Sequence, residues 1–248
     1  ILFGGGVFVF YVLNIKKILA LAGGGLAVFA LLLCLRPEVT APASSSQLLP
    51  AARTVLIIDP GHGGEDGGAV AEDGTVESGI NLSIALRLRD LMDLLGWDTA
   101  MTREEDISVY TEGASTLREK KVSDLQNRVA MINGYEDAVL LSIHQNSLPQ
   151  AKSVRGAQAF YNTAEGAEQM AAAIQETLNL AANGETPKTQ KAIDSSVYLM
   201  KHIDCAGVLI ECGFLSNGED LARLQEDAYQ KALVTAIAAG FLQNYSLN

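Results

Sequence analysis

The chain has 248 residues, 48% of them hydrophobic, and a formal charge of −11. Residues 1–50 hold three of the eighteen basic side chains and one of the twenty-nine acidic ones; fifteen against twenty-eight remain, a balance of −13, which argues against nucleic acid as a partner. The three cysteines, Cys34, Cys205 and Cys212, fit no CxxC or CxxH spacing, so neither a disulfide framework nor a thiolate metal site is indicated.

Ile18 to Leu35 is an uncharged apolar run between Lys16-Lys17 and Arg36, long enough to cross a bilayer. Residues 1–36 are therefore expected to be a leader that contacts the membrane, with Lys16 and Lys17 inside and the rest of the chain outside. The alternative is a signal peptide cleaved after Ala41-Pro42-Ala43, which would leave a secreted product; the length of the run favours the uncleaved anchor. Residues 37–52 are rich in Pro, Ala and Ser and read as a linker. Residues 53–248 are expected to fold as one domain with a core that needs no staples.

The first element of that domain is Val55 to Ile58, an apolar run ended by Asp59-Pro60-Gly61, as in a strand buried on both faces. It delivers His62 into a glycine-rich, acidic loop. No Lys-Ser/Thr follows the glycines, so a phosphate cradle is not indicated. Ile80, Ile84, Leu88, Leu91 and Leu95 then recur at helical spacing, with Glu77 at the helix start and Gly96 as the stop. Glu77 alone reads as a partner for the helix dipole, and Asn81 as a solvated or capping side chain.

Trp97 to Thr102 reads as a strand and Arg103 to Val122 as a polar loop or flap. Ser123-x-x-Gln126 reads as a capping box for a helix containing Leu125, Val129 and Ile132, with Arg128 on its surface or in an ion pair. Ala138 to Ile143 is a second buried strand, followed at once by His144. Gly156 to Tyr161 is a strand, Ala164 to Leu180 a helix, Asn183 to Ser195 a polar loop and Val197 to Met200 a short strand. His202 has no ligand-type neighbour and reads as surface. Gly207 to Ile210 is the last strand and ends in Glu211. Ser216-x-x-Glu219 reads as the cap of a helical region running to Tyr245. The alternation of strands and helices predicts an α/β fold with a mostly parallel twisted sheet, its strand ends on one rim.

That rim would carry His62, His144 and Glu211, with Glu77 at a helix start. Two imidazoles and one carboxylate can bind Zn2+ and leave one position open, while a second, non-ligand carboxylate moves a proton. HExxH is absent, so both ligands do not come from one helix, and residue types alone leave open which carboxylate does which.

The stretches DPGHGGEDGGAV, Glu77 with Asn81-Leu82 behind it, SIHQNS and VLIECGFLSN resemble, in the same order, the motifs of the zinc-dependent N-acetylmuramoyl-L-alanine amidases of the amidase_3 type. The resemblance runs from Val55 to the C-terminus. It implies that His62, Glu77 and His144 hold zinc and that Glu211 is catalytic. The implied reaction is cleavage, in peptidoglycan, of the amide between N-acetylmuramic acid and the L-alanine of the stem peptide. Ile107 to Asn133 and SSVYLMKHIDCAGVLIE further resemble the membrane-anchored, spore-cortex branch, which strips stem peptides so that muramic lactam can form. Gln145 stands where the family often has Ala, a departure expected to alter groove contacts. Two rival readings are another zinc-dependent wall hydrolase such as a sugar deacetylase, and an inactive wall-binding relative. No wall-binding repeat is visible, so targeting is left to the leader or to an activating protein partner.

Overall fold

The computed structural model describes residues 54–245. The predicted leader, with its apolar run and Cys34, lies outside them; among the described residues no helix is long and apolar enough to cross a membrane. Six strands, β1 (Val55–Pro60), β2 (Thr99–Met101), β3 (Ala138–Asn146), β4 (Gln158–Tyr161), β5 (Lys191–Ala192) and β6 (Ala206–Phe214), form one sheet in the order β2-β1-β3-β6-β4-β5.

Neighbouring strands run parallel except β4 against β6, so the expected mostly parallel sheet is a mixed one. The reason lies between β3 and β4. A parallel return needs a crossover of a dozen or more residues, usually helical, and there the chain makes only a short 3-10 turn, Pro149–Ala151. β1 and β3 are adjacent, yet the chain leaves β1 toward β2 on one side and reaches β3 on the other. Such a switch point opens a crevice beyond the strand ends.

Helices α1 (Glu77–Leu94), α2 (Leu117–Asn133), α3 (Ala167–Leu178), α4 (Tyr198–His202), α5 (Gly218–Leu224) and α6 (Asp227–Leu242) complete the domain. Alternate residues of the central strands enter two cores. Leu56, Ile58, Leu141 and Ile210 pack with Ile84 and Leu88 of α1, Ile174 of α3 and Ile237 of α6. Ile57, Leu140 and Leu209 pack on the other side with Ile132 of α2 and Leu199 and Met200 of α4. Both faces being covered, the central strands read as unbroken apolar runs. Each such buried side chain contributes roughly 1.5–3 kcal/mol of transfer free energy.

Several local expectations are corrected. Val197 to Met200 is not a strand: Tyr198–His202 is helical. α2 begins at Leu117, not after Ser123, because Thr116 and Glu119 form a reciprocal capping box. Ser216 does not cap the C-terminal helices. Its hydroxyl accepts from the Leu148 amide at 2.8 Å, and Asn217 caps α5 by accepting from Glu219 and Asp220 N–H. α5 and α6 are separate helices. Cys212 is buried, Cys205 is half-buried, and His202 is exposed, as expected of a surface histidine.

Candidate active site at the strand ends

β1 ends at the crevice, and its next residues turn sharply. His62 takes φ +61°, the one non-glycine residue with positive φ among those described. A left-handed conformation at a non-glycine residue costs energy unless its surroundings hold it there. The carbonyls of Pro60 and His62 accept from Arg128 at 2.9 and 2.7 Å, and those of Pro60 and Gly61 accept from Arg103, both at 3.0 Å. Arg128 is therefore not a surface side chain. It is 2% exposed and pairs with Asp59 at 2.6 Å and Asp124 at 2.7 Å.

Burial alone would raise the carboxyl of Asp59, but Arg128 and the hydroxyls of Ser142 and Thr102 outweigh it and hold it at about 2. Because this folded value lies below the unfolded one, the stabilisation is fully present above pH ~4 and is lost as pH falls through about 2. Asp59→Asn is expected to cost about 3–5 kcal/mol at neutral pH, since it removes one of the two carboxylates that pair with the buried Arg128 cation. Its deficit against the parent should shrink by roughly 2 kcal/mol between pH 4 and pH 2, measured by urea unfolding. A deficit independent of pH would mean that Asp59 is not ionised in the fold.

Three residues predicted from the strand ends and the helix start come together. One ligand-type atom from each of His62, Glu77 and His144 lies within 4.8 Å of the others. Glu77 Oε1 is 3.4 Å from His62 Nε2 and 3.1 Å from His144 Nδ1. His144 is the Cα partner of Glu211 across β3 and β6, just before the register shifts between His144 and Asn146.

Glu77 does more than balance the dipole of its own helix. It is 3% exposed, and its Oε1 accepts from the Gln145 amide at 3.1 Å and from Asn81 Nδ2 at 3.2 Å, while Oε2 accepts from the Ala69 amide at 2.8 Å. Asn81 is likewise not solvated: it is buried and also donates to the Gly61 carbonyl. Gln145 is buried beside it, its Nε2 donating to Asn81 Oδ1 at 3.2 Å. Burial would raise the Glu77 carboxyl, but His144 and His62 hold it far below the usual carboxylate range.

Asp66, which the sequence did not distinguish from its acidic neighbours, accepts from His62 Nδ1 at 3.0 Å. A carboxylate can only accept, so Nδ1 carries a hydrogen toward Asp66, and Nε2, 3.4 Å from Glu77 Oε1, faces a second carboxylate acceptor. Burial works against the His62 imidazolium, yet its bonds to Asp66 and Glu77 raise it to about 9. The pocket is thus built for a positive charge.

Two glycines make room for these side chains. A Cβ on Gly61 would lie 2.1 Å from the His144 ring, and one on Gly68 would lie 2.5 Å from Glu77 Oε2. Beside this cluster, Glu211 has a buried Oε2 with no hydrogen-bond partner. Burial pushes its carboxyl up to about 7.

The profile of the Amidase_3 family, described as N-acetylmuramoyl-L-alanine amidase, matches residues 56–243. The germination-specific N-acetylmuramoyl-L-alanine amidase of Bacillus subtilis (strain 168) is 36% identical over 200 residues, covering 80% of this chain and 82% of that protein. Among solved structures, the CwlD amidase from Clostridioides difficile, in complex with the GerS lipoprotein, is similar with a TM-score of 0.75 and 35% identity, over 79% of this chain and 100% of that one. The amidase AmiC2 of Nostoc punctiforme is similar with a TM-score of 0.64 and 27% identity, over 77% and 96%. With the profile spanning every strand-end residue described above, the chain belongs to the Amidase_3 family of N-acetylmuramoyl-L-alanine amidases.

Proposed function

We propose that this peptidoglycan amidase is zinc-dependent, that His62, Glu77 and His144 hold the ion, and that Glu211 is its proton-transfer group. Cleavage of the amide between N-acetylmuramic acid and L-alanine follows from the family. The observation that carries the assignment of roles is the pairing of a three-donor cluster with one leftover carboxylate oxygen that none of the described residues satisfies. The donor set fits zinc: two imidazoles and a carboxylate are a common catalytic set, and donors about 2.0–2.2 Å from one centre would stand about 3.4 Å apart. Glu77 Oε1 stands 3.1 and 3.4 Å from the two imidazole nitrogens, and all three donors lie within 4.8 Å of one another.

When bound, the ion supplies Lewis acidity, polarising the scissile carbonyl and making a water acidic near neutral pH. The protein does the rest. Asp66 fixes the His62 tautomer; Asn81, Gln145 and Ala69 hold the Glu77 carboxylate in one orientation. Glu211 takes the proton of the attacking water at Oε2 and delivers it to the departing alanine nitrogen. A carboxyl titrating near neutrality is matched to both halves of that task.

The germination-specific B. subtilis relative supports a role in remodelling the spore cortex, and relatives named as cell wall amidases support action outside the cytoplasm; the apolar run Ile18–Leu35 behind Lys16-Lys17 supports the leader as membrane anchor. The lipoprotein bound to the C. difficile neighbour supports a protein partner for this chain as well. The test is incubation of the purified protein with cell wall, with and without chelator, followed by mass spectrometry. Chelator-sensitive release of peptides with free L-alanyl amino termini is expected. Release of acetate would identify a deacetylase, and an unchanged wall would identify an inactive wall-binding relative.

A further inference from the structure

Arg103 is 3% exposed and lies in no ion pair among the described residues. All its hydrogen bonds end on backbone carbonyls: Nε on Pro60, Nη1 on Glu105, and Nη2 on both Gly61 and Ser78. A guanidinium buried with no carboxylate in ion-pair contact is expensive, because its desolvation is repaid by neutral acceptors and by the more distant charges of Asp106, Asp59 and Asp124. Burial accordingly pulls its pKa down to about 10. The two carbonyls that share Nη2, each at 3.0 Å, belong to the residue before His62 and the residue after Glu77. Those residues sit on different elements, the loop after β1 and the first turn of α1, which are also joined by the Glu77 and Ser78 amides on the carbonyls of Ala69 and Gly67, by the Ala69 amide on Glu77 Oε2, and by Asn81 Nδ2 on Gly61 O.

We propose that Arg103 is a positioning residue: one planar guanidinium nitrogen bridges Gly61 O and Ser78 O and so sets the spacing of His62 from Glu77. The proposal rests on the reading of those two residues as zinc ligands. Lysine cannot substitute, since an ammonium on a flexible stem lacks the fork that reaches four acceptors at fixed angles.

The experiment compares the parent with Arg103→Lys, Arg103→Gln and, as control, Arg87→Ala. Arg87 lies on the other side of α1, where it pairs with Asp227. Zinc dissociation constants are measured by chelator competition on metal-free protein, together with the visible spectrum of the cobalt-loaded form and the apo melting temperature. Both Arg103 variants should bind zinc about 10- to 100-fold more weakly and shift the cobalt spectrum, as loss of an outer support does. Arg87→Ala should lower only the melting temperature. Zinc affinity and cobalt spectrum within twofold of the parent would overturn the proposal, and so would failure of both Arg103 variants to fold, which would mark a general structural role. A parent that binds no zinc would overturn the ligand reading itself, and this proposal with it.

Discussion

Glu211→Gln is expected to retain zinc and the fold while turnover falls by about 10²- to 10⁴-fold, the usual worth of a positioned acid–base group. The substitution is nearly isosteric, and Oε2 makes no hydrogen bond that could be lost. What disappears is the ability to accept a proton. Glu77→Gln should behave differently. Its Oε1 accepts from two protein donors and Oε2 from a third, so a side-chain NH2 placed at either position faces an N–H head-on. Each such mismatch in a buried site costs about 1–3 kcal/mol, and the amide is also a poor ligand, so zinc should be lost together with activity. Metal content by mass spectrometry, circular dichroism and turnover on purified wall separate the two variants. Loss of metal from Glu211→Gln, with metal and activity retained in Glu77→Gln, would exchange the two roles.

Gly61→Ala is expected to weaken zinc binding by more than about 100-fold, beyond what loss of a supporting contact costs. Gly61 has ordinary negative-φ backbone, so an alanine meets no conformational penalty there. The effect is steric. Its Cβ would lie 2.1 Å from Cε1 and 2.2 Å from Nε2 of His144, a ring held at 3.1 Å from Glu77 and mostly covered. Either the ring turns away, or the β1 loop moves and takes His62 with it. Overpacking of this kind also costs about 1–3 kcal/mol of stability. A crystal structure of the variant with zinc bound and His144 unmoved would show that the crevice is more plastic than this geometry allows.

The strands that carry the site were legible because strands buried on both faces leave long apolar runs, and each run here stops at a ligand-type residue. The same signal misled at Val197 to Met200, where a short apolar run belongs to one turn of helix; periodicity cannot separate the two at that length. α2 was placed too late for a related reason. Leu117 and Val122 face solvent, so the first turns show no apolar stripe and rest on the Thr116–Glu119 box, and the apolar positions begin only at Leu125. The residues that brace the crevice left no trace in the pattern. Arg103 and Arg128 look in sequence like any arginine in a polar stretch, because apart from Glu105 and Asp124 their partners are 25 to 69 positions away. Asp66 is one of several acids in its loop, and only the turn at His62 selects it.

The two described cysteines have a consequence for where such a domain can work. Burial pushes the thiol of Cys205 up to about 11 and that of Cys212 higher still, so neither forms thiolate to any extent at neutral pH. Thiolate is the species that oxidants and disulfides attack. An odd, unpaired thiol is ordinarily a liability in an oxidising compartment, open to mixed disulfides and covalent dimers. Here Cys212 is sealed in the core behind Glu211, so the fold itself keeps this sulfur reduced without a bridging partner.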